Sequence, residues 1–458
     1  MSNNRDKTFP EKLKQFFKFS SKSPSSQNQT CNAFPRLKVE KFILTRDVQH
    51  SLTCEVPVVQ RLKILQEISE EVLTKRIEDD GAETLWLLIN DLFVISSTEE
   101  RQTALMFLKN LITGQYERLG MLRVYIFDIV KESQFNEDIF ILIELLKAMT
   151  DNGKDLLYLE ESIGNFLLHF LPQVSQLQLL KQFLPFLLNV IKFNSAYVDG
   201  NVIGGVVNTL CSLAISSPDP EEILLIISVF DAIICYSNLP NESIVVFAST
   251  VCRLVNVSSY SNLSWKIMRN LIGTHLGTST LYTLIHSLQT SEDPYVLRGG
   301  IFFVGMVLWS DRPLNCPNCP PAVVLPALSE ALKHSKNPLV VFETGLTLQK
   351  LVKFDGATLV GFAWDWILEI LDHFLLYSDD YPKVRQIFLE ILTDVQDLVE
   401  KGTYTGSTEL FFATLERGLP YLNESSVVLL MNFQVEKIKP SQTNWISNLN
   451  RFVQRLIN

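Results

Sequence analysis

Residues 97–114 read STEERQTALMFLKNLITG, and this stretch decides the fold class. Ser97 and Glu100 have the S-x-x-E spacing of a capping box, in which each side chain reaches the other's backbone N–H. Behind them Ala104, Leu105, Phe107, Leu108, Leu111 and Ile112 fall at i, i+1, i+3, i+4, i+7 and i+8, one apolar stripe of an α-helix. Gly114 follows where such a helix is expected to stop. The stretch from Asp219 repeats the signal with other residues. Asp219 is a natural N-cap, Pro220 suits the first helical position, and Glu221 and Glu222 favour the positive end of the helix dipole. Ile223, Ile226, Ile227, Phe230, Ile233 and Ile234 supply the apolar face.

The same pattern continues outward in both directions. Helical segments are expected at 57–75, 80–94, 98–113, 116–132, 137–149, 155–170, 175–192, 197–215, 220–236 and 241–255. Further ones follow at 259–273, 278–289, 294–309, 321–333, 337–352, 358–377, 381–400 and 408–417. Taken in pairs they recur about every 40 residues, the period of HEAT and armadillo repeats. A single pair cannot bury its own apolar face, so neighbours must stack. The expected architecture is all-α: a HEAT/armadillo-like α-solenoid of about nine helix pairs over residues 41–420, preferred to a compact helical bundle. No strand hairpin is legible.

Composition agrees. The hydrophobic share is 47%, against only 19 Gly and 19 Pro in 458 residues, which disfavours turn-rich β folds. The formal charge of −10 argues against broad nucleic-acid binding, which needs a basic surface. The longest apolar runs, 223–230 and 301–309, are too short to span a bilayer. The N-terminus lacks the apolar core of a secretory signal, and seven cysteines do not make a disulfide framework, so an intracellular, cytoplasmic protein is expected.

Charge divides the chain. Residues 1–46 carry ten Lys/Arg against three Asp/Glu, net +7, leaving 30 against 47, or −17, for the rest. Residues 1–40 are expected to form a mobile basic arm, since their polar composition cannot build a core. Within it, 9–19 (FPEKLKQFFKF) places Leu13, Phe16 and Phe17 at helical spacing among Lys12, Lys14 and Lys18. These three apolar residues are the candidate partner-binding residues, the other expectation being that they dock on the chain's own first repeat. Residues 421–458 are expected to be a divergent helical tail.

Catalytic chemistry finds little support. Cys316-Pro-Asn-Cys319 has the C-x-x-C form of a zinc or redox pair, but no second ligand pair lies in range and prolines surround it. Two free thiols in a loop are the better expectation. His275 lies in the string GTHLG of 273–277, with no partner readable in sequence, and reads as a helix-end histidine. Glu160–Glu161 reads as helix-end solvation, Gly200, Gly204 and Gly205 as helical rather than phosphate-binding, and Trp86, Trp265, Trp309, Trp364 and Trp366 as core. No catalytic residue, cofactor or metal is expected.

Several strings resemble the N-terminal domain of the tuberin family, the GTPase-activating subunit of the tuberous sclerosis complex. They are 99–123 (EERQTALMFLKNLITGQYERLGMLR), 150–161 (TDNGKDLLYLEE), 190–199 (VIKFNSAYVD), 231–240 (DAIICYSNLP), 264–277 (SWKIMRNLIGTHLG) and 297–309 (LRGGIFFVGMVLW). With 362–371 (FAWDWILEIL), the resemblance covers about 11–417 in the family's order. It implies a HEAT-repeat solenoid that binds the coiled coil of a hamartin-like partner and so serves a complex acting on the small GTPase Rheb and restraining TOR signalling. No counterpart of the family's GTPase-activating domain is expected in this sequence. The chain is therefore expected to be a non-enzymatic scaffold, peripheral at the lysosomal membrane through its complex. The competing expectation is a solenoid adaptor for another cargo, karyopherin-like or phosphatase-scaffold-like.

Overall fold

The structure, a computed structural model, describes residues 40–133, 136–308, 321–377, 380–418 and 454. Its helices are α1 (Arg46–Ser51), α2 (Val58–Thr74), α3 (Gly81–Ile89), α4 (Thr98–Gln115), α5 (Leu122–Glu132), α6 (Ile139–Thr150) and α7 (Glu160–Gln176). Then come α8 (Leu180–Asn194), α9 (Gly200–Ser216), α10 (Pro220–Tyr236), α11 (Ile244–Leu254), α12 (Ser258–Ile272) and α13 (Gly277–Thr290). The series ends with α14 (Pro294–Leu308), α15 (Pro321–His334), α16 (Pro338–Asp355), α17 (Gly361–Leu375), α18 (Pro382–Glu400) and α19 (Thr408–Gly418). From α2 to α19 every expected helix is present, making nine pairs among the described residues.

The pairs stack into two rows. Along the first, α2, α4, α6, α8, α10 and α12 each pack on the next; along the second, α7, α9, α11, α13, α15, α17 and α19 do so. Aromatic contacts extend the second row to its start, Trp86 of α3 on Tyr125 of α5 and Phe127 of α5 on Phe166 of α7, with ring centroids 6.3 and 5.0 Å apart. One apolar core runs unbroken from Phe42 to Phe411, because each amphipathic helix buries its stripe against both neighbours. This is the HEAT-like α-solenoid.

The first row changes course after α12. There α14 packs directly on α11, and Trp265 of α12 lies against Phe302 and Phe303 of α14. Gly299 makes the crossing close: a Cβ there would sit 2.1 Å from the Cys252 carbonyl oxygen. The row then continues through α14, α16 and α18.

Three local expectations change. Ser97 does occupy the N-cap of α4, but its side chain makes no capping bond. The Arg101 guanidinium holds the Ile95 and Ser96 carbonyls instead, at 2.6 and 3.3 Å. Gly114 does not end α4, which runs on to Gln115. It is glycine because the Val72 and Leu73 carbonyls of α2 pass 2.5 and 2.6 Å from where a Cβ would stand. Residues 155–159 are not helical; α7 begins at Glu160 and continues through Pro172, whose lost hydrogen bond is outweighed by the buried Leu171 and Val174 beside it. Asp219 caps α10 as expected, its carboxylate accepting the Glu221 N–H at 2.9 Å.

Two features lay outside the helical pattern. Besides α1, two-residue strands β1 (Lys41–Phe42) and β2 (Arg76–Ile77) pair in parallel, Lys41 opposite Arg76 and Phe42 opposite Ile77. They tie the first described residues to the C-terminal end of α2.

Candidate interaction surface

Side chains one repeat apart fix the register of the stack. At the start of the first row, Arg61 forks onto Asp91 at 2.6 and 2.7 Å and donates to the Leu88 carbonyl at 2.6 Å. Arg101, 40 positions on, pairs with Asp138, both fully buried. Arg123 bonds Asp155 at 2.9 Å and lies 4.1 Å from the centre of the Tyr116 ring. Polar caps do the same for the backbone. The Gln115 amide donates to Val72 and Lys75 carbonyls at 2.6 and 2.7 Å and accepts the Ile77 N–H at 3.1 Å. Asn194 accepts the Leu156 N–H at 2.9 Å and donates to the Lys154 carbonyl at 3.1 Å.

A second set of bridges lies closer to solvent. Asn110 donates to Ser69 (2.7 Å), Lys109 to Glu144 (2.9 Å), Lys181 to Asp219 (2.6 Å) and Lys266 to Asp231 (2.7 Å). Water and salt screen the exposed pairs among them, so they fix register more than they stabilise. Lys181 is held above its usual range, first by its bond to Asp219, and Asp219 is held below its own by the same bond. These groups point along the stack and satisfy one another.

Two of the concavities at the N-terminal end bear on binding. One is a polar cleft of about 1160 Å³ lined by Arg76, Glu78, Asp79, Tyr116, Arg118 and Lys154, among others. Its charges are largely engaged: Arg118 pairs with Asp79 at 3.2 Å, and Lys154 donates to the Ala148 carbonyl at 2.6 Å. Burial pushes the Tyr116 hydroxyl up to about 12 and lowers Lys154.

The other is an apolar groove of about 570 Å³ crossing α2, α4 and α6. Leu65, Phe107 and Ile141 form its floor, while Met106 (49% exposed) and Phe140 (53%) rise from it into solvent. Glu99 and Glu137 stand in its lining, which contains no basic residue, and neither carboxylate joins an ion pair among the described residues. Sequence reasoning passed over Met106 and Phe140. The available signal was an apolar side chain off the buried stripe: Met106 interrupts the spacing of its helix.

Of the residues singled out in sequence, Leu13, Phe16, Phe17, Cys316, Cys319 and Trp309 lie outside the described residues, as do residues 1–39 of the arm and, save residue 454, the tail after 418. His275 is exposed in the turn between α12 and α13. Trp86 and Trp364 are buried, and Trp265 and Trp366 pack against the core. Glu160 and Glu161 open α7, and Gly204 and Gly205 lie within α9, where a Cβ on Gly205 would meet Leu168 at 2.5 Å. Among the described residues no group of three or more His, Cys, Asp or Glu is placed to hold a metal, and no helix is long and apolar enough to cross a membrane.

Comparison with known proteins agrees with this architecture. The structure of the TSC2 N-terminus superposes with a TM-score of 0.70 at 15% identity, covering 81% of this chain and 98% of that one. In sequence, the Uncharacterized protein C18B11.11 of Schizosaccharomyces pombe is 25% identical over 210 residues, 44% of this chain. The match spans only 16% of that protein's length. The family described as Domain of unknown function (DUF3384) matches residues 58–458. The chain thus belongs to the DUF3384 family, a helical-repeat domain consistent with the N-terminal domain of tuberin and built on the fold of the TSC2 N-terminus.

Proposed function

We propose that the chain is a non-catalytic scaffold: the solenoid region of a tuberin-like complex, which binds a hamartin-like coiled coil. Through that complex it contributes to control of Rheb and of TOR signalling at the lysosomal surface. The observation that carries this proposal is the likeness to the TSC2 N-terminus over 98% of that chain's length, in a member of the DUF3384 family.

The surface is suited to such a partner. Phe193, Tyr236 and Phe354 stand more than half exposed at the C-terminal ends of α8, α10 and α16, helices of the same row. A coiled coil offers apolar side chains at i, i+3, i+4 and i+7, which can bury such rings. Its charged flanks would set register against the acidic body and speed association more than they tighten it. Calorimetric titration of the chain with an isolated hamartin coiled coil tests the proposal. Sub-micromolar binding, more than roughly 8 kcal/mol, is expected. A folded, helical chain that releases no heat and retains no coiled coil on gel filtration would refute it.

A further inference from the structure

We propose that the groove across α2, α4 and α6 is a docking site for the chain's own residues 9–19. The groove presents an apolar floor, two projecting apolar side chains and two acidic ones, with no base in its lining. Segment 9–19 is the complement. Leu13, Phe16 and Phe17 fall on one helical face, and Lys12, Lys14 and Lys18 flank it. The lysines can meet Glu99 and Glu137, whose carboxylates join no ion pair among the described residues.

Dimensions agree. An eleven-residue helix is about 16 Å long, comparable with three helices packed at about 8–10 Å spacing. The tether is sufficient. Glu40 is fixed at the C-terminal end of α2, where its carbonyl accepts the Arg76 N–H at 3.0 Å. Ser69, in the groove lining, lies only about 8 Å back along the same helix. The intervening residues 20–39 can span up to about 66 Å when extended, several times the distance needed. The segment is joined covalently to the body, so its effective concentration at the groove is high and even a modest intrinsic affinity fills the site. In this proposal the arm is the groove's occupant in the free chain.

Hydroxyl-radical footprinting of the full chain, read by mass spectrometry, tests this directly through Met106. Met121, 56% exposed and on the lining of the polar cleft instead, is the internal standard of the same residue type. In the unaltered chain Met106 should oxidise several-fold more slowly than Met121. In a chain carrying Phe16→Glu and Phe17→Glu it should approach the Met121 rate, with far-UV ellipticity unchanged. Glu99→Lys with Glu137→Lys, which leaves the arm intact, should also expose Met106. Equal Met106 oxidation with and without the arm substitutions overturns the proposal. So does protection that survives them or grows with protein concentration, which would mean another occupant. The readout needs no coiled coil, so it stands or falls separately from the calorimetric titration.

Discussion

Replacing glycine by alanine inside a helix normally stabilises it, by about 1 kcal/mol, because alanine has less backbone freedom to lose. At Gly299 the structure predicts the opposite sign. An alanine Cβ would lie 2.1 Å from the Cys252 carbonyl oxygen and 2.6 Å from the Cys252 carbonyl carbon and Cα. Ordinary carbon–oxygen contacts are about 3.3–3.6 Å, so α14 and α11 must part by roughly 1 Å. No rotamer change can relieve the clash, because every atom met is backbone. Overpacking of a tight core costs about 1–3 kcal/mol, and here the strain falls on the crossing where the first row changes course. Because only backbone is met, the cost is taken at the upper end of that range; less the ordinary gain of about 1 kcal/mol, Gly299→Ala should lose about 2 kcal/mol. Gly300→Ala is the control one residue away: its Cβ meets only the Leu288 side chain, with Cδ2 nearest at 3.0 Å, a tip that can move. It should fall within about 0.5 kcal/mol of the parent or gain slightly. Urea denaturation followed by far-UV ellipticity measures both. Were Gly299→Ala as stable as Gly300→Ala, the close crossing of α11 and α14 would be wrong.

Asp138→Ala leaves the buried Arg101 without its carboxylate and should cost about 3–5 kcal/mol, whereas Arg101→Met with Asp138→Leu should recover only part of the loss in the same urea assay, because the Ile95 and Ser96 carbonyls lose their donor. Gln115→Leu fills similar space but abandons the Val72, Lys75 and Ile77 backbone groups, and a loss of about 2–4 kcal/mol is expected by thermal unfolding. Burial holds the Glu343 carboxyl above its ordinary 4.5, although Arg298 lies 3.2 Å away. The folded state therefore keeps that proton longer than the unfolded one, and this contribution to stability falls as pH rises from 4.5 through the raised value. In Glu343→Gln that segment of the stability–pH curve should be missing, with Arg298 still bonded to Asn256 at 2.8 Å. Maleimide labelling should reach Cys54 and Cys235 in the native chain, but Cys211 and Cys252 only after unfolding. Both are buried, the Cys211 thiol pushed up to about 11 and Cys252 also raised.

The helices were legible because their stripes are dictated locally. The run that opens at Asp219 is the clearest case: Asp219, Pro220 and the isoleucines predicted 220–236, and α10 has those bounds. What could not be read depended on partners far along the chain. Gly114 looks like a helix stop until the α2 carbonyls are placed beside it. Ser97 and Glu100 form a valid box in isolation, but Arg101 secures the turn because Asp138 holds it from 37 residues away. The strands β1 and β2 are too short to leave a period. The apolar groove was hidden for the same reason, since its floor comes from three helices and its two exposed side chains each look unremarkable alone.

The polar caps impose a direction on assembly. Gln115 completes backbone groups at Val72, Lys75 and Ile77, which precede it by 38–43 residues, and Asn194 completes Lys154 and Leu156, 38–40 residues earlier. The units that hold Val72–Ile77 and Lys154–Leu156 thus wait for their successors before their own backbone is satisfied. On the ribosome, at about 5–20 residues per second, the wait is about 2–8 seconds per repeat. At these two points the growing chain should carry an unfinished repeat, a window in which a chaperone or a protease finds its opportunity.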